Sequence, residues 1–184
     1  MSPPFRREIK IEEALNNGAI ESAVLILLYE KNSEMYIILT ERTVYAGKHS
    51  GQISLPGGKK DVSDINLEQT ALRETFEEIG VDYQDVEIIS ALSHLYIPVS
   101  NFLVFPFVAK LKGNPSFIRE EKEVNKILEV KINELLNEKN VGEKEFYYKE
   151  SDIRFNAPTY TVNGVVVWGA TAMILSEFLE IVKK

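Results

Sequence analysis

The stretch GGKKDVSDINLEQTALRETFEEIGV, residues 57–81, joins two glycines to a helical pattern. Leu72, Phe76 and Ile79 recur at i, i+4 and i+7, the spacing of one apolar helix face, over a helix predicted at about 66–79. Gly80 follows as its C-terminal cap. Glu74, Glu77 and Glu78 fall at i, i+3 and i+4, so three carboxylates share one face while the apolar face anchors the helix to a sheet. Arg73, four residues before Glu77, is placed to pair with that carboxylate and hold it.

Three negative side chains this close are unfavourable without a counter-charge. Hard divalent cations such as Mg²⁺ take oxygen ligands and commonly bridge to substrate phosphates, so this face can serve as a Mg²⁺ platform. Charge runs more often mean a solvated acidic helix, and the glycines are what tip the balance. Gly57 and Gly58, directly after Pro56, let the backbone approach a metal or phosphate closely, although a plain turn has the same composition.

Outward from this segment, residues 8–17 read as a short amphipathic helix stopped at Gly18. SAVLILLYE (22–30) and MYIILTER (35–42) read as an antiparallel strand pair separated by Lys31-Asn32-Ser33. A glycine-bearing loop covers 43–57. Apolar stretches at 86–97 and 102–111, and weaker ones at 126–132 and 144–149, predict further strands. Residues 160–168 predict a hairpin turning at Asn163-Gly164, followed by a terminal helix at 169–182. No repeat or linker interrupts the pattern, which predicts one α/β domain, residues 1–184, with a mixed sheet covered by helices. The charged stretch 119–126 fits a solvated loop or a functional one equally.

Composition bounds the chemistry. The 184 residues are 45% hydrophobic, enough for a single well-buried core. There is no cysteine, so disulfides, thiolate nucleophiles and thiolate metal sites are excluded, and any metal is held by oxygen or histidine. The charged start MSPPFRREIK and the lack of a long apolar run predict a soluble, cytoplasmic protein without membrane association. A formal charge of −7 argues against nucleic-acid binding, though not against a small phosphorylated substrate bound with cations.

The segment Gly58 to Val81 resembles the Nudix box, Gly-x5-Glu-x7-Arg-Glu-U-x-Glu-Glu-x-Gly-U, where U is bulky and aliphatic. The Arg-Glu-x-x-Glu-Glu-x-Gly core is intact. The first glutamate of the box has no direct equivalent: five residues separate Asp64 from Gly58, but eight rather than seven separate it from Arg73, and Thr75 replaces an aliphatic residue. The resemblance implies a Nudix-type α/β/α sandwich and a hydrolase that cleaves phosphoanhydrides with Mg²⁺ or Mn²⁺. It implies that Glu77, Glu78 and the Gly58 carbonyl ligate the ion, and that Glu74 is a further ligand or the base that activates water. An acidic residue from a distant loop completes many such sites; Glu120, Glu121 and Glu123 are the candidates, with Glu123 favoured. The resemblance also makes a homodimer an expectation, although no residue marks its interface.

A second signature lies upstream. Residues 38–43 (ILTERT) and 48–58 (KHSGQISLPGG) resemble the Leu-Leu-Thr-x-Arg-(Ser/Ala)-x3-Arg-x-His-x-Gly-x3-Phe-Pro-Gly-Gly motif of the Nudix subfamily that hydrolyses coenzyme A, whose members also tend to insert one residue in the box. Thr43, Gly47 and Leu55 depart from it, and Lys48 restores a charge one residue late. Glu123-Val124 and residues 168–172 resemble further landmarks of the subfamily. Coenzyme A or an acyl derivative is the implied substrate, with Arg42, Lys48, His49, Gly57 and Gly58 as substrate contacts. Arg42, Lys48 and Lys59-Lys60 suit phosphate oxygens, and His49 reads as a loop anchor or a substrate contact. ADP-ribose, dinucleotides and nucleoside triphosphates remain alternative substrates, and a non-catalytic nucleotide sensor is the alternative from another class. Trp168 reads as packing.

Overall fold

A computed structural model of the chain describes residues 9–43, 51–113, 116–148 and 153–183. In chain order its helices are α1 (Ile11–Asn16), α2 (Leu67–Ile79), α3 (Ile132–Leu136) and α4 (Gly169–Val182). Its strands are β1 (Ile20–Lys31), β2 (Glu34–Arg42), β3 (Ile53–Ser54), β4 (Gly57–Lys59), β5 (Val86–Ala91), β6 (Leu95–Ile97), β7 (Phe102–Leu111), β8 (Val124–Lys131), β9 (Val141–Tyr148), β10 (Ile153–Val162) and β11 (Val165–Val167).

The predicted first hairpin forms with Lys31 opposite Glu34, and positive φ at Asn32 (53°) and Ser33 (59°) closes it as a two-residue turn. β1 is apolar almost throughout because both of its faces are covered. On one face Leu25 and Leu27, with Ile38 of β2, pack against Ala71 and Ile79 of α2. On the other Ile26, with Ile37 and Leu39, shares a core with Leu175, Phe178 and Leu179 of α4. The result is the expected α/β/α sandwich. Its sheet is mixed: β7 runs parallel to β1, while β2, β3, β4, β5, β6 and β8 join by antiparallel pairing.

Three expectations need correction. The apolar stretch 86–97 is two strands, β5 and β6, both paired with β7 and separated by residues 92–94. β9, β10 and β11 do not join the main sheet but form a three-stranded antiparallel sheet of their own. The predicted Asn163-Gly164 turn pairs β10 with β11 locally, and Phe146 stacks on Trp168 with ring centroids 4.0 Å apart and pairs across strands with Phe155. Trp168, directly after β11, thus packs against Phe146 of β9, as expected of a packing residue.

The third correction concerns the face of α2. Phe76 is 50% exposed, and the buried stripe is Ala71, Thr75, Glu78 and Ile79, with Leu67 and Leu72 packed beside it. Thr75 can be buried because its hydroxyl donates to the Ala71 carbonyl at 2.7 Å. The helix starts at Asn66, whose side chain accepts from the Gln69 N–H while Gln69 Oε1 accepts from the Ile65 N–H, a reciprocal cap. It ends at Gly80, at φ 72°.

Candidate active site

β4 runs antiparallel to β1 with Val24 opposite Gly57. Gly57 has φ 145°, and a Cβ there would lie 2.3 Å from the Ala23 carbonyl oxygen and 2.6 Å from Val24 Cα, so no other residue fits this approach. Gly58 faces α2: a Cβ would sit 2.3 Å from Glu74 Oε2 and 2.5 Å from its Cδ. The Glu74 carboxylate therefore lies directly over the Gly58 backbone. The Gly57 N–H donates to Glu78 Oε2 at 3.3 Å. The two glycines and the carboxylate helix are thus one packed unit.

Arg73 organises the exposed side of this unit. It forms a two-pronged pair with Asp64, Nε to Oδ1 and Nη2 to Oδ2, both 2.9 Å. Nη1 donates to Glu74 Oε1 and Glu77 Oε2, each at 2.9 Å, and Nη2 also donates to the Lys59 carbonyl at 3.0 Å. The Arg73–Glu77 pair was legible in the spacing; the Asp64 pair was not, although five residues separate Asp64 from Gly58. A turn between Asp61 and Asp64 absorbs the extra residue of the box, and the Asp61 N–H and Thr70 hydroxyl both donate to Asp64 Oδ2 at 2.9 Å.

The Asp64 side chain is 1% exposed, and the Arg73 guanidinium holds its carboxyl down at about 2. Unfolded aspartate titrates at about 4, so the folded value is depressed. The stabilisation it gives is present above about pH 4 and is lost as pH falls through about 2. The urea stability gap between wild type and Asp64→Asn should therefore be full at about pH 5 and shrink towards about pH 2. A gap unchanged across that range would contradict the assignment.

Glu78 is 2% exposed. Burial pushes its carboxyl up to about 8; Arg42 and the Gly57 N–H oppose the shift, and the charges of Glu74 and Glu123 add to it. Burial also raises Glu74, with Arg73 opposing and Glu77 and Glu123 adding. Glu77 is half exposed.

Glu123 comes close enough for its charge to act on two helix carboxylates because its loop is pinned on both sides. The Ile118 and Glu120 N–H groups donate to the carbonyls of Ile79 and Glu78 at 2.9 and 3.0 Å, while the Thr43 N–H donates to the Glu123 carbonyl at 3.0 Å. Glu120, Glu121 and Glu123 are all exposed, so exposure does not set Glu123 apart; Glu120 accepts from the Lys122 N–H, and Glu121 pairs with Arg119.

Arg42 Nη1 lies 3.8 Å from Glu78 Oε1. Lys60 pairs with Glu21 at 3.3 Å. Lys48 and His49 lie outside the described residues.

Among the described residues no three acidic or imidazole side chains converge tightly enough to enclose an ion. The carboxylates are instead turned towards arginines, Glu74 and Glu77 to Arg73 and Glu78 to Arg42. The donor set still fits a hard divalent cation. It is all oxygen, and the negative charge of Glu123 acts on both Glu74 and the buried Glu78, which Glu74 also crowds, so a compact positive charge is favoured there.

A model of the NUDIX domain matches residues 20–149, a span running from β1 past β9 that contains the glycine pair, α2 and the Glu123 loop. The chain belongs to the Nudix family. "Nudix hydrolase 3" of Caenorhabditis elegans is 30% identical over 175 residues, covering 86% of this chain and 72% of that protein. "Uncharacterized Nudix hydrolase NudL" of Salmonella paratyphi B is 32% identical over 165 residues, covering 90% and 83%. The fold likewise matches the crystal structure of a MutT/nudix family protein from Enterococcus faecalis, with a TM-score of 0.54 at 15% identity over 97% of this chain and 71% of that one. No helix of this Nudix hydrolase, among the described residues, is long and apolar enough to cross a membrane.

Proposed function

We propose that this Nudix hydrolase cleaves the pyrophosphate of coenzyme A or an acyl-coenzyme A, giving 4′-phosphopantetheine and adenosine 3′,5′-bisphosphate. The observation that carries the hydrolytic reading is the buried Glu78 carboxyl, bonded to the Gly57 N–H and crowded by the charges of Glu74 and Glu123. The 38–58 signature supports the substrate, and its Arg42 stands beside Glu78.

Glu77 and Glu78 would hold Mg²⁺ or Mn²⁺, with the Gly58 carbonyl and Glu74 as further oxygen donors. A bound divalent cation would supply positive charge to the phosphoryl oxygens and make a nearby water easier to deprotonate. Glu74 either joins that set or accepts the proton of the attacking water. Arg73 acts through its neighbours, fixing Glu74 and Glu77 from the buried Asp64 anchor. Gly57 and Gly58 leave the backbone open to phosphate, and Arg42 offers its guanidinium to phosphate oxygens. Lys48 and His49, from the same signature, complete the proposed substrate contacts.

The test is kcat/KM for coenzyme A, acetyl-coenzyme A, ADP-ribose, NADH and nucleoside triphosphates with Mg²⁺ or Mn²⁺, with products separated by HPLC. Coenzyme A or its acyl derivative should rank first. A tenfold preference for another compound would overturn the substrate assignment and leave the family activity standing.

Glu123 provides a second check. Glu123→Gln should raise the Mg²⁺ concentration for half-maximal rate or slow turnover at saturating Mg²⁺, whereas Glu120→Gln should leave both near wild type, since its carboxylate is bonded within its own turn and Glu123 is the one whose charge acts on Glu74 and Glu78. Equal effects of the two changes in a magnesium titration would remove Glu123 from the site.

A further inference from the structure

Arg42 differs from Arg73 in how it is held. Arg73 makes directed bonds to three carboxylates and a carbonyl, whereas Arg42 sits 3.8 Å from Glu78, beyond hydrogen-bond length, and its Nε is buried with no hydrogen-bond partner among the described residues. The pairing of β2 with β8 shifts register between Glu41 and Arg42, an irregularity of the kind that re-aims a side chain out of a regular ladder. The backbone there is fixed on both sides, by the Arg42 N–H to the Gln52 carbonyl at 3.0 Å and by Thr43 to the carbonyls of Glu123 and Lys122. Only the side chain is free to change partner. Of the charges that act on Glu78, Arg42 is the positive one, and Glu74 and Glu123 are negative.

We infer that Arg42 is a stand-in cation: its guanidinium occupies the place beside the buried Glu78 carboxyl group when no metal is bound, and a metal ion displaces it so that it turns to the substrate phosphates. The inference rests on the metal-hydrolase reading of the site and adds an exchange that the reading does not require. A guanidinium and a metal ion compete for one carboxylate, so removing the guanidinium tightens metal binding even as it weakens substrate binding. A residue that merely bound phosphate would show the second effect without the first.

The experiment is a Mn²⁺ titration of the substrate-free protein, reading free Mn²⁺ by its paramagnetic resonance signal, together with KM and kcat for coenzyme A. Arg42→Gln should bind Mn²⁺ about fivefold tighter or more, as expected for the loss of a modest coupling between two competing groups. Its KM should rise about tenfold with a smaller change in kcat, the pattern of lost uniform binding. Arg42→Lys keeps a charge without the planar fork, so its Mn²⁺ affinity should return towards wild type while KM stays raised. Lys60→Gln removes an equal charge near the glycines from a side chain paired with Glu21, and should leave Mn²⁺ affinity unchanged.

Unchanged or weaker Mn²⁺ binding by Arg42→Gln, or an equal gain from Lys60→Gln, would overturn the exchange. The manganese arm does not depend on which phosphoanhydride is cleaved. Failure of wild type to bind Mn²⁺ at all would overturn the metal reading beneath the exchange, an outcome distinct from equal binding by wild type and variant.

Discussion

Glu78→Gln should lower turnover by at least about two orders of magnitude while leaving the protein folded and no less heat-stable. The carboxylate is 2% exposed, and burial keeps its carboxyl up at about 8, so in the metal-free protein the site bears the strain of a desolvated acid. The amide has the same shape, and its oxygen can still accept from the Gly57 N–H, so the packing of α2 against β4 survives. What it lacks is the charge that holds a divalent cation. Glu77→Gln should act in the same direction, and because Glu77 is half exposed it should leave the melting temperature near wild type. Near-normal turnover by both variants at saturating Mg²⁺ would remove the metal site from this helix.

Arg73→Ala should fail in a different way, losing stability as well as rate. It leaves the Asp64 carboxylate, 1% exposed, without its ionic partner and frees Glu74 and Glu77 to repel each other. Breaking a buried pair by removing one partner costs about 3–5 kcal/mol. In a domain of this size that corresponds to a fall in melting temperature of about 10 °C. Arg73→Lys should recover only part of it, because a point charge cannot reproduce the two-pronged contact with Asp64 while reaching Glu74 and Glu77. A thermal melt of Arg73→Ala within about a degree of wild type would show that the Arg73 network is not structural.

What the sequence disclosed was mostly local. The Asn163-Gly164 turn, the stop at Gly80, the strands around Leu25 and Ile38, and the glutamate face of α2 with its Arg73–Glu77 pair each follow from neighbouring residues or fixed periods. The misplaced Phe76 shows the limit of that reasoning. An apolar residue at helical spacing reads as core, but here the helix is rotated so that Thr75, satisfied by its own backbone, and Glu78, bonded to Gly57, go inward instead. Contacts between distant segments left little trace: Asp64 beneath Arg73, the Glu74 carboxylate over Gly58, Arg42 beside Glu78, and the separate sheet of β9 to β11. Glu123 stands out in the sequence only by its acidic character next to a returning strand, while the loop that carries it is positioned by backbone bonds to α2 and to Thr43 that no sequence pattern announces.

Anomalous diffraction from crystals soaked in Mn²⁺ decides whether the carboxylate face of α2 beside Gly57-Gly58 is a divalent-metal site. A manganese peak should lie about 2.1 Å from Glu77 and Glu78 carboxylate oxygens, the separation usual for a small hard cation on oxygen, with the Arg42 guanidinium moved away from Glu78. A peak elsewhere on the molecule, or none at saturating Mn²⁺ with Arg42 still facing Glu78, would contradict it.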